Sequence, residues 1–305
     1  MKPHSESVVP RKTWRRVNGV VLLDKPSGAS SNAVLQSVRR LFSAAKAGHT
    51  GTLDPMASGL LPLCFGEATK FAVDLLDADK TYETELLFGV VTDTGDAEGR
   101  VVQRRAVAVE RSELETVLSR FHGRQNQVPP MFSALKRDGK PLYELARQGI
   151  IVPRQAREVT IHELALLDFA DNRCRLRVMC SKGTYIRSLA EDLGNALGCG
   201  AHLTALRRTA VGPLTVDQAV TVDQLAELSE SERQVFLHAP DLLLQNLPIC
   251  ALTEEQVRRF IHGNPVSAQG QAGQYRVYEG LRLLGLGELD ASGILRPRRL
   301  INTSD

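Results

Sequence analysis

Gly48-His49-Thr50-Gly51-Thr52-Leu53-Asp54-Pro55-Met56-Ala57-Ser58-Gly59 is the densest run of special residues in the chain. Its three glycines, one proline and two threonines specify a loop with a defined path. Pro55 disfavours the α region at Asp54 and so holds that carboxylate on extended backbone. His49 supplies an aromatic, hydrogen-bonding ring five residues earlier. A bare Asp-Pro pair is an ordinary turn. The company it keeps here makes Asp54 a candidate reacting group.

Outward from this loop the hydrophobic spacing predicts a strand at Gly19–Leu23 and a helix capped by Ser30, Ser31 or Asn32, with Val34, Leu35, Val38 and Leu41 on its apolar face. Further strands are expected at Leu60–Phe65 and Thr81–Val90, with a short helix at Glu67–Leu75 between them. Ser112 and Glu115 have the spacing of a capping box, opening a helix that runs to Phe121. Residues 122–155, with Pro129, Pro130, Pro141 and Pro153, read as an inserted excursion around a short helix, Leu142–Gln148. Strands return at Val159–Phe169, Arg173–Cys180 and His202–Val211, with a helix at Tyr185–Leu197 stopped by Gly198. Cys174, Leu176, Val178 and Cys180 alternate onto one face. A boundary falls near Leu247–Pro248, followed by short strands at Gln274–Tyr278 and Arg282–Leu286 among closely spaced glycines.

The elements do not alternate strand and helix regularly. The fold class expected is therefore α+β, a large mixed and mostly antiparallel sheet with flanking helices, plus a small C-terminal β-rich domain. The domain reading is a basic tail at 1–16 that includes Arg11, Lys12, Arg15 and Arg16, a catalytic domain at 17–246 with the insertion at 122–155, and a small domain at 247–305. That last unit reads as separable, so its removal should weaken binding more than chemistry.

Composition narrows the function. The chain has 305 residues, 43% apolar and 24% charged, the profile of an ordinary globular protein. The net charge is only +3, but it is segregated. Arg120 to Arg157 holds eight basic and two acidic residues, and Pro213 to Glu255 holds one basic and eight acidic. Such a split presents a basic face to a polyanion. Five cysteines without a CxxC pair fit a reducing cytoplasm. The seven histidines show no metal-ligand spacing, and no apolar run approaches a membrane span. The expectation is a cytoplasmic monomer without metal, cofactor or membrane contact.

The Asp54 loop resembles the catalytic loop of the TruB family of pseudouridine synthases, GHTGTLDPxAxG, at every fixed position. More of that family's strings follow in the same order. Asp24-Lys25-Pro26-Ser27-Gly28-Ala29-Ser30-Ser31 is similar to DKPxGxSS, Lys80-Thr81-Tyr82 to KxY, and Thr92-Asp93-Thr94-Gly95-Asp96 to TDTGD. Pro129 to Lys136 resembles PPxFSALK, Lys182 to Leu189 matches KGTYIRSL, and Leu203 to Thr209 is similar to LxxLRRT. Gly285-Leu286-Gly287 through Pro297 resembles the end of a PUA-type RNA-binding module. The resemblance implies isomerisation of the T-loop uridine of tRNA, position 55. It implies Asp54 as nucleophile, Tyr82 as active-site tyrosine and Arg187 as the arginine that pairs with the nucleophile. His49 would contact the displaced nucleotide and Leu206 would line the uracil pocket, with Tyr185, Lys25, Asp96 and Lys136 as further substrate-binding residues.

The residue types suit that chemistry. Breaking C1′–N1 and rejoining the base through C5 calls for a carboxylate, whether it attacks C1′, attacks C6 or assists a glycal route. An arginine beside it would hold it ionised and lower its pKa. Tyrosines can stack on an extruded base. Taken singly, Tyr82 is a sheet-face residue, Arg187 a helix-surface residue, and Lys136, Arg207 and Arg208 solvated charges; their company with Asp54 is what selects Tyr82 and Arg187. Two other functions are open to such a chain. One is an RNA-binding or RNA-folding role, alone or in addition. The other is a hydrolase built on His49, Asp54 and Ser58, disfavoured by the lack of a GxSxG elbow or a second paired carboxylate.

Overall fold

A computed structural model describes residues 13–302. The larger part of the chain runs β1 (Gly19–Lys25), α1 (Ser31–Leu41), β2 (Ala47–His49), β3 (Ser58–Phe65), α2 (Ala72–Leu76), β4 (Lys80–Phe88), β5 (Val90–Thr92), β6 (Val101–Arg104), α3 (Arg111–Arg120) and β7 (Gly123–Gln127). It continues through β8 (Lys136–Arg137), β9 (Lys140–Pro141), α4 (Leu142–Arg147), β10 (Arg157–Ala170), β11 (Arg173–Cys180), α5 (Ile186–Ala196), β12 (Ala201–Val211), β13 (Leu214–Thr215), β14 (Val220–Thr221), α6 (Val222–Glu227) and α7 (Glu230–Arg233). One sheet unites most of these strands in the order β14-β1-β3-β12-β4-β11-β10-β7. Only β14 with β1 and β3 with β12 pair in parallel along that path; the others are antiparallel. A second, five-stranded sheet holds β15 (Ile249–Ala251), β16 (Val266–Ser267), β17 (Gly273–Glu279), β18 (Arg282–Leu289) and β19 (Ile294–Leu300), with α8 (Glu254–Phe260) packed beside it. The fold is thus the expected α+β arrangement.

Burial explains which strands alternate. On β11 the residues Cys174, Leu176, Val178 and Cys180 are buried while Arg173, Arg175, Arg177 and Met179 are exposed, because only one face is covered. On β1 and β3 the apolar run is continuous because both faces are covered. Val21, Leu23, Leu61 and Leu63 point into the main core with α1 and α5. Val20, Leu22, Leu60 and Cys64 point the other way, into a second core completed by Leu243, Leu244 and three residues of the small sheet, Tyr278, Leu283 and Leu286.

That second core changes the expected picture of a separable small unit. Polar contacts cross the same seam. Arg299 Nη1 meets Asp74 Oδ2 at 2.6 Å, Lys70 Nζ donates to the Leu300 carbonyl at 2.8 Å, and the Tyr278 hydroxyl donates to Asp241 at 2.5 Å. A chain cut near residue 247 would expose the apolar face of β1 and β3, so its defect would not be confined to RNA binding.

Several local expectations are corrected. The Ser112 capping box does not form: α3 begins at Arg111 with Glu110 as N-cap and without a side-chain cap. The Glu67–Leu75 helix is instead a 3₁₀ turn, Gly66–Lys70, followed by α2. The long strand ends at Phe88, where Gly89 takes φ +82° and redirects the chain into β5. The insertion starts later than expected, because β7 pairs with β10 in the main sheet. Of the basic tail, Arg11 and Lys12 lie outside the described residues. Arg15 belongs to the fold, bridging to Ala44 and donating from Nε to the Phe42 carbonyl at 3.1 Å. Among the described residues no helix is long and apolar enough to cross a membrane.

The shared second core predicts cooperative behaviour. Leu286→Ala should cost about 2–5 kcal/mol and lower one common unfolding transition. Differential scanning calorimetry checks this; two resolved transitions with only the smaller one moved would show that the sheets melt independently.

Candidate active site

The Asp54 loop is held from behind by the segment that follows β1. Gly28 N donates to the Pro55 carbonyl at 2.8 Å, and the Ser27 hydroxyl donates to the Met56 carbonyl at 2.7 Å. The Ser31 hydroxyl both donates to the Leu53 carbonyl and accepts from the Leu53 amide, each at 2.9 Å. Lys25 is completely buried and its ammonium donates to the Pro26, Ala29 and Pro55 carbonyls at 2.9, 2.6 and 3.3 Å. All three of its N–H donors are therefore committed, two to its own segment and one to the Asp54 loop, which leaves none for the cavity. Burial pulls its pKa down to about 8, against the upward pull of the Asp54 charge.

Arg208 supports the same loop from the opposite side. Read from sequence as a solvated charge, it is instead only 1% exposed. Its Nε donates to the Leu60 carbonyl at 2.8 Å and its Nη2 to the Gly51 carbonyl at 3.2 Å. Gly51 carries φ +92° at this point, a conformation that suits glycine. Arg207 is anchored too, by a bidentate contact with Asp24 at 2.7 and 3.0 Å.

Arg187 lies in the first turn of α5 and is 3% exposed. Its Nε stands 2.9 Å from Asp54 Oδ2 and 3.7 Å from Asp96 Oδ2. The Nε–H points along neither line well enough to form a hydrogen bond, so the contact with Asp54 is an ion pair without an aligned bond. The two terminal nitrogens donate to the Thr94 carbonyl at 3.1 Å and the Phe132 carbonyl at 2.7 Å. Asp96 is buried and accepts from the Thr94 hydroxyl at 2.6 Å and the Glu98 amide at 3.1 Å.

The Asp54 side chain remains 33% exposed, opening into a cavity of about 540 Å³. Burial pushes its pKa above the ordinary carboxylate value; the Arg187 charge pulls it down but does not prevail. The expected lowering is thus outweighed by desolvation.

His49, Asp54, Asp96 and Arg187 all line the cavity. His49 is pushed below the usual imidazole pKa by burial and by the neighbouring Arg208 charge, so it is neutral at pH 7, and its buried Nδ1 has no hydrogen-bond partner. Tyr82, Tyr185, Leu206 and Lys136 are outside the lining set. Tyr82 sits opposite Arg208 in the β4–β12 register, half-buried, its phenol pushed up by burial. Tyr185 directly precedes α5, and burial raises its phenol as well. The Asp54 charge acts on both phenols. Leu206 is buried in the main core two residues before Arg208, and Lys136 is exposed on the β8–β9 hairpin.

The sequence missed part of the wall. Glu98 and five insertion residues, Phe132, Ser133, Ala134, Tyr143 and Arg147, line the cavity together with the Asp54 loop. Arg147 lies 5.4 Å from the centre of the Tyr143 ring, one helical turn away on α4. The basic excess of the insertion and its quoted PPMFSALK string were the available signals for this wall.

Comparison with known proteins agrees with this geometry. Residues 39–186 match the family model described as the N-terminal domain of TruB family pseudouridylate synthases. Residues 187–246 match the tRNA pseudouridylate synthase B C-terminal domain, and 248–301 match the C-terminal domain of pseudouridine synthase II TruB. The chain is 57% identical to tRNA pseudouridine synthase B of Dechloromonas aromatica (strain RCB), over 97% of this chain and 99% of that one. It is 55% identical to the protein of the same name from Azoarcus sp. (strain BH72), over 96% and 98% of the two chains. Among solved structures, a Cbf5-Nop10-Gar1 complex aligns with a TM-score of 0.68 at 27% identity, covering 89% of this chain and 78% of that one. The archaeal box H/ACA sRNP Nop10-Cbf5 complex aligns at 0.71 and 24% identity, over 93% and 86%, a likeness of fold alone. With such similarity along nearly its whole length, the chain belongs to the TruB family of pseudouridine synthases.

Proposed function

We propose that this enzyme isomerises the T-loop uridine of tRNA to pseudouridine, with Asp54 as the nucleophile and Arg187 as its charge partner. The observation that carries the reading is the 2.9 Å Asp54–Arg187 ion pair at the floor of a cavity open to solvent. The relatives' shared name, tRNA pseudouridine synthase B, supplies the substrate class.

The chemistry follows from the residues. A uridine extruded from the T-loop costs a few kcal/mol in lost stacking, which aromatic and apolar pocket walls offset. The cavity volume falls in the range that encloses a small ligand. Asp54, ionised beside Arg187, supplies the carboxylate that glycosidic cleavage requires. The C1′–N1 bond breaks, the base rotates, C5 forms the new bond to C1′ as any bond to Asp54 is released, and the proton lost from C5 is balanced by one gained at N1. Tyr82, close enough to feel the Asp54 charge, flanks the base and stays protonated at neutral pH because burial raises its phenol. Tyr185, at the entry to α5, and Leu206, in the main core, back the wall of the pocket rather than line it. His49 meets the displaced nucleotide as a neutral ring, which avoids placing a second cation against Arg208. Lys25 acts behind the surface, where it fixes the Pro55 carbonyl, and Asp96, in the cavity wall, shares the field of Arg187.

The insertion supplies the RNA grip. Its backbone reaches Arg187 through Phe132, while Lys136, Arg137 and Lys140 stand exposed on the hairpin beyond. Phosphate contacts from such residues position an RNA without reading its sequence.

Replacing Asp54 with Asn should abolish isomerisation while preserving the fold and tRNA affinity, because an amide cannot serve as the nucleophile. Site-resolved pseudouridine mapping after incubation with unmodified tRNA tests this, and turnover within about tenfold of wild type would remove Asp54 from the reaction.

The raised Asp54 pKa fixes the sign of a pH effect. The carboxylate is lost as pH falls through a value above the ordinary aspartate figure of about 3.9. The acid limb of kcat/KM should therefore lie above that figure, and Arg187→Gln should move it higher still by removing the charge that pulls the pKa down. A limb that stays in place in Arg187→Gln would disconnect the pair. The same variant orphans the Thr94 and Phe132 carbonyls, at about 1–3 kcal/mol each.

Changing Lys136, Arg137 and Lys140 together to Gln should flatten the slope of log K against log salt by up to about 3. Filter binding at several ionic strengths reads it. A wild-type slope and affinity would show that the hairpin does not touch phosphate.

A further inference from the structure

Gln127 is the last residue of β7, at the root of the insertion, and it is 6% exposed. A buried primary amide needs partners for both its N–H groups and its carbonyl oxygen. Here both functions are directed at one residue. The Gln127 Oε1 accepts from the Tyr185 amide at 2.7 Å, and its Nε2 donates to the Tyr185 carbonyl at 3.0 Å. The side chain thus pairs with the main chain of Tyr185 as a neighbouring strand would.

The place where it does so matters. Tyr185 is the N-cap residue of α5, on extended backbone at φ −101° and ψ 112°, and its own side chain caps nothing. The first turn of a helix has amide groups without partners inside the helix. Gln127 gives the entry into α5 an anchor from another element. A second tie runs in parallel, from the Ser188 hydroxyl to the Val128 carbonyl at 3.3 Å. Between these two anchored points lies Arg187. Its guanidinium is held at the tip by the Thr94 and Phe132 carbonyls and reaches Asp54 at 2.9 Å without an aligned hydrogen bond, so its aim depends on where the helix start is held relative to those two carbonyls.

We propose that Gln127 is a positioning residue for the isomerisation: by clamping the Tyr185 main chain at the entry to α5, it sets Arg187 against Asp54 and links the root of the RNA-gripping insertion to the reacting pair. This rests on the Asp54–Arg187 reading given above and adds to it a residue that touches neither RNA nor the reacting atoms. Loss of the clamp lets the helix start drift, which weakens the pull of Arg187 on the Asp54 carboxylate. Two consequences follow together. The chemical step slows while tRNA binding holds, and the acid limb of the pH profile rises.

The test is Gln127→Met, which keeps the side-chain volume and removes both bonds. Single-turnover rates with excess full-length enzyme on unmodified tRNA should fall by about tenfold or more from mispositioning, with the tRNA Kd within about twofold and the acid limb displaced to higher pH. If Gln127→Met does not give a folded circular dichroism spectrum, Gln127→Asn, one methylene too short to make both bonds, is read by the same criteria. A single-turnover rate within about twofold of wild type, an unmoved acid limb, or a rise in Kd that accounts for the whole loss overturns the proposal. Arg187→Met, measured alongside, separates the two levels. An inactive Arg187→Met with a wild-type Gln127→Met overturns the clamp alone, whereas wild-type activity in both would also overturn the Asp54–Arg187 reading.

Discussion

The Arg187 guanidinium ties together three parts of the chain that are far apart in sequence. It meets the Asp54 carboxylate from the loop between β2 and β3, the Thr94 carbonyl from the turn after β5, and the Phe132 carbonyl from the insertion. A guanidinium suits this task because it stays charged at any working pH and presents its donors in a rigid plane. The cost is a buried charge, and the compensation is nearly complete: an ion pair, two carbonyl acceptors and a second carboxylate, Asp96, at 3.7 Å. What the arrangement does not do is lower the Asp54 pKa below its usual value. Burial prevails, so the carboxylate is a stronger base than it would be in water while an adjacent cation keeps it in place. That balance between desolvation and pairing is the condition on which the proposed chemistry rests.

The rest of the scaffold can be understood as support for a loop that could not hold itself. The Asp54 loop has few side chains of its own to pack, so its shape is imposed from outside. Lys25, Ser27, Gly28 and Ser31 fix it from one side, and Arg208 fixes Gly51 from the other. Lys25 belongs to β1 and Arg208 to β12, and the second face of β1 is covered partly by the C-terminal sheet. The small sheet therefore contributes to the rigidity of the strand that carries Lys25.

Much of this was legible in the sequence, for identifiable reasons. The Asp54 loop announces itself because tight loops restrict residue types strongly, and β11 because one covered face imposes strict alternation. Arg208 was not legible. Its acceptors are backbone carbonyls of Leu60 and Gly51, distant in sequence and indistinguishable there from any other main chain. Glu98, Tyr143 and Arg147 were missed because the cavity wall they form exists only once the insertion folds back over the Asp54 loop. The Ser112 capping box failed because α3 starts two residues earlier than the motif requires, which leaves Ser112 inside the first turn with its carbonyl accepting from Thr116. The seam with the small sheet was hidden for another reason: a continuous apolar strand reports that both faces are covered but not what covers them.

On the proposed reading, the cavity over Asp54 converts a T-loop uridine to its C-linked isomer. Incubating the wild-type chain with unmodified tRNA transcript, and locating pseudouridine nucleotide by nucleotide, is the test. One modified uridine is expected, in the T-loop, at unchanged RNA mass. An RNA that is bound but left as uridine, or that is modified only outside the T-loop, would contradict it.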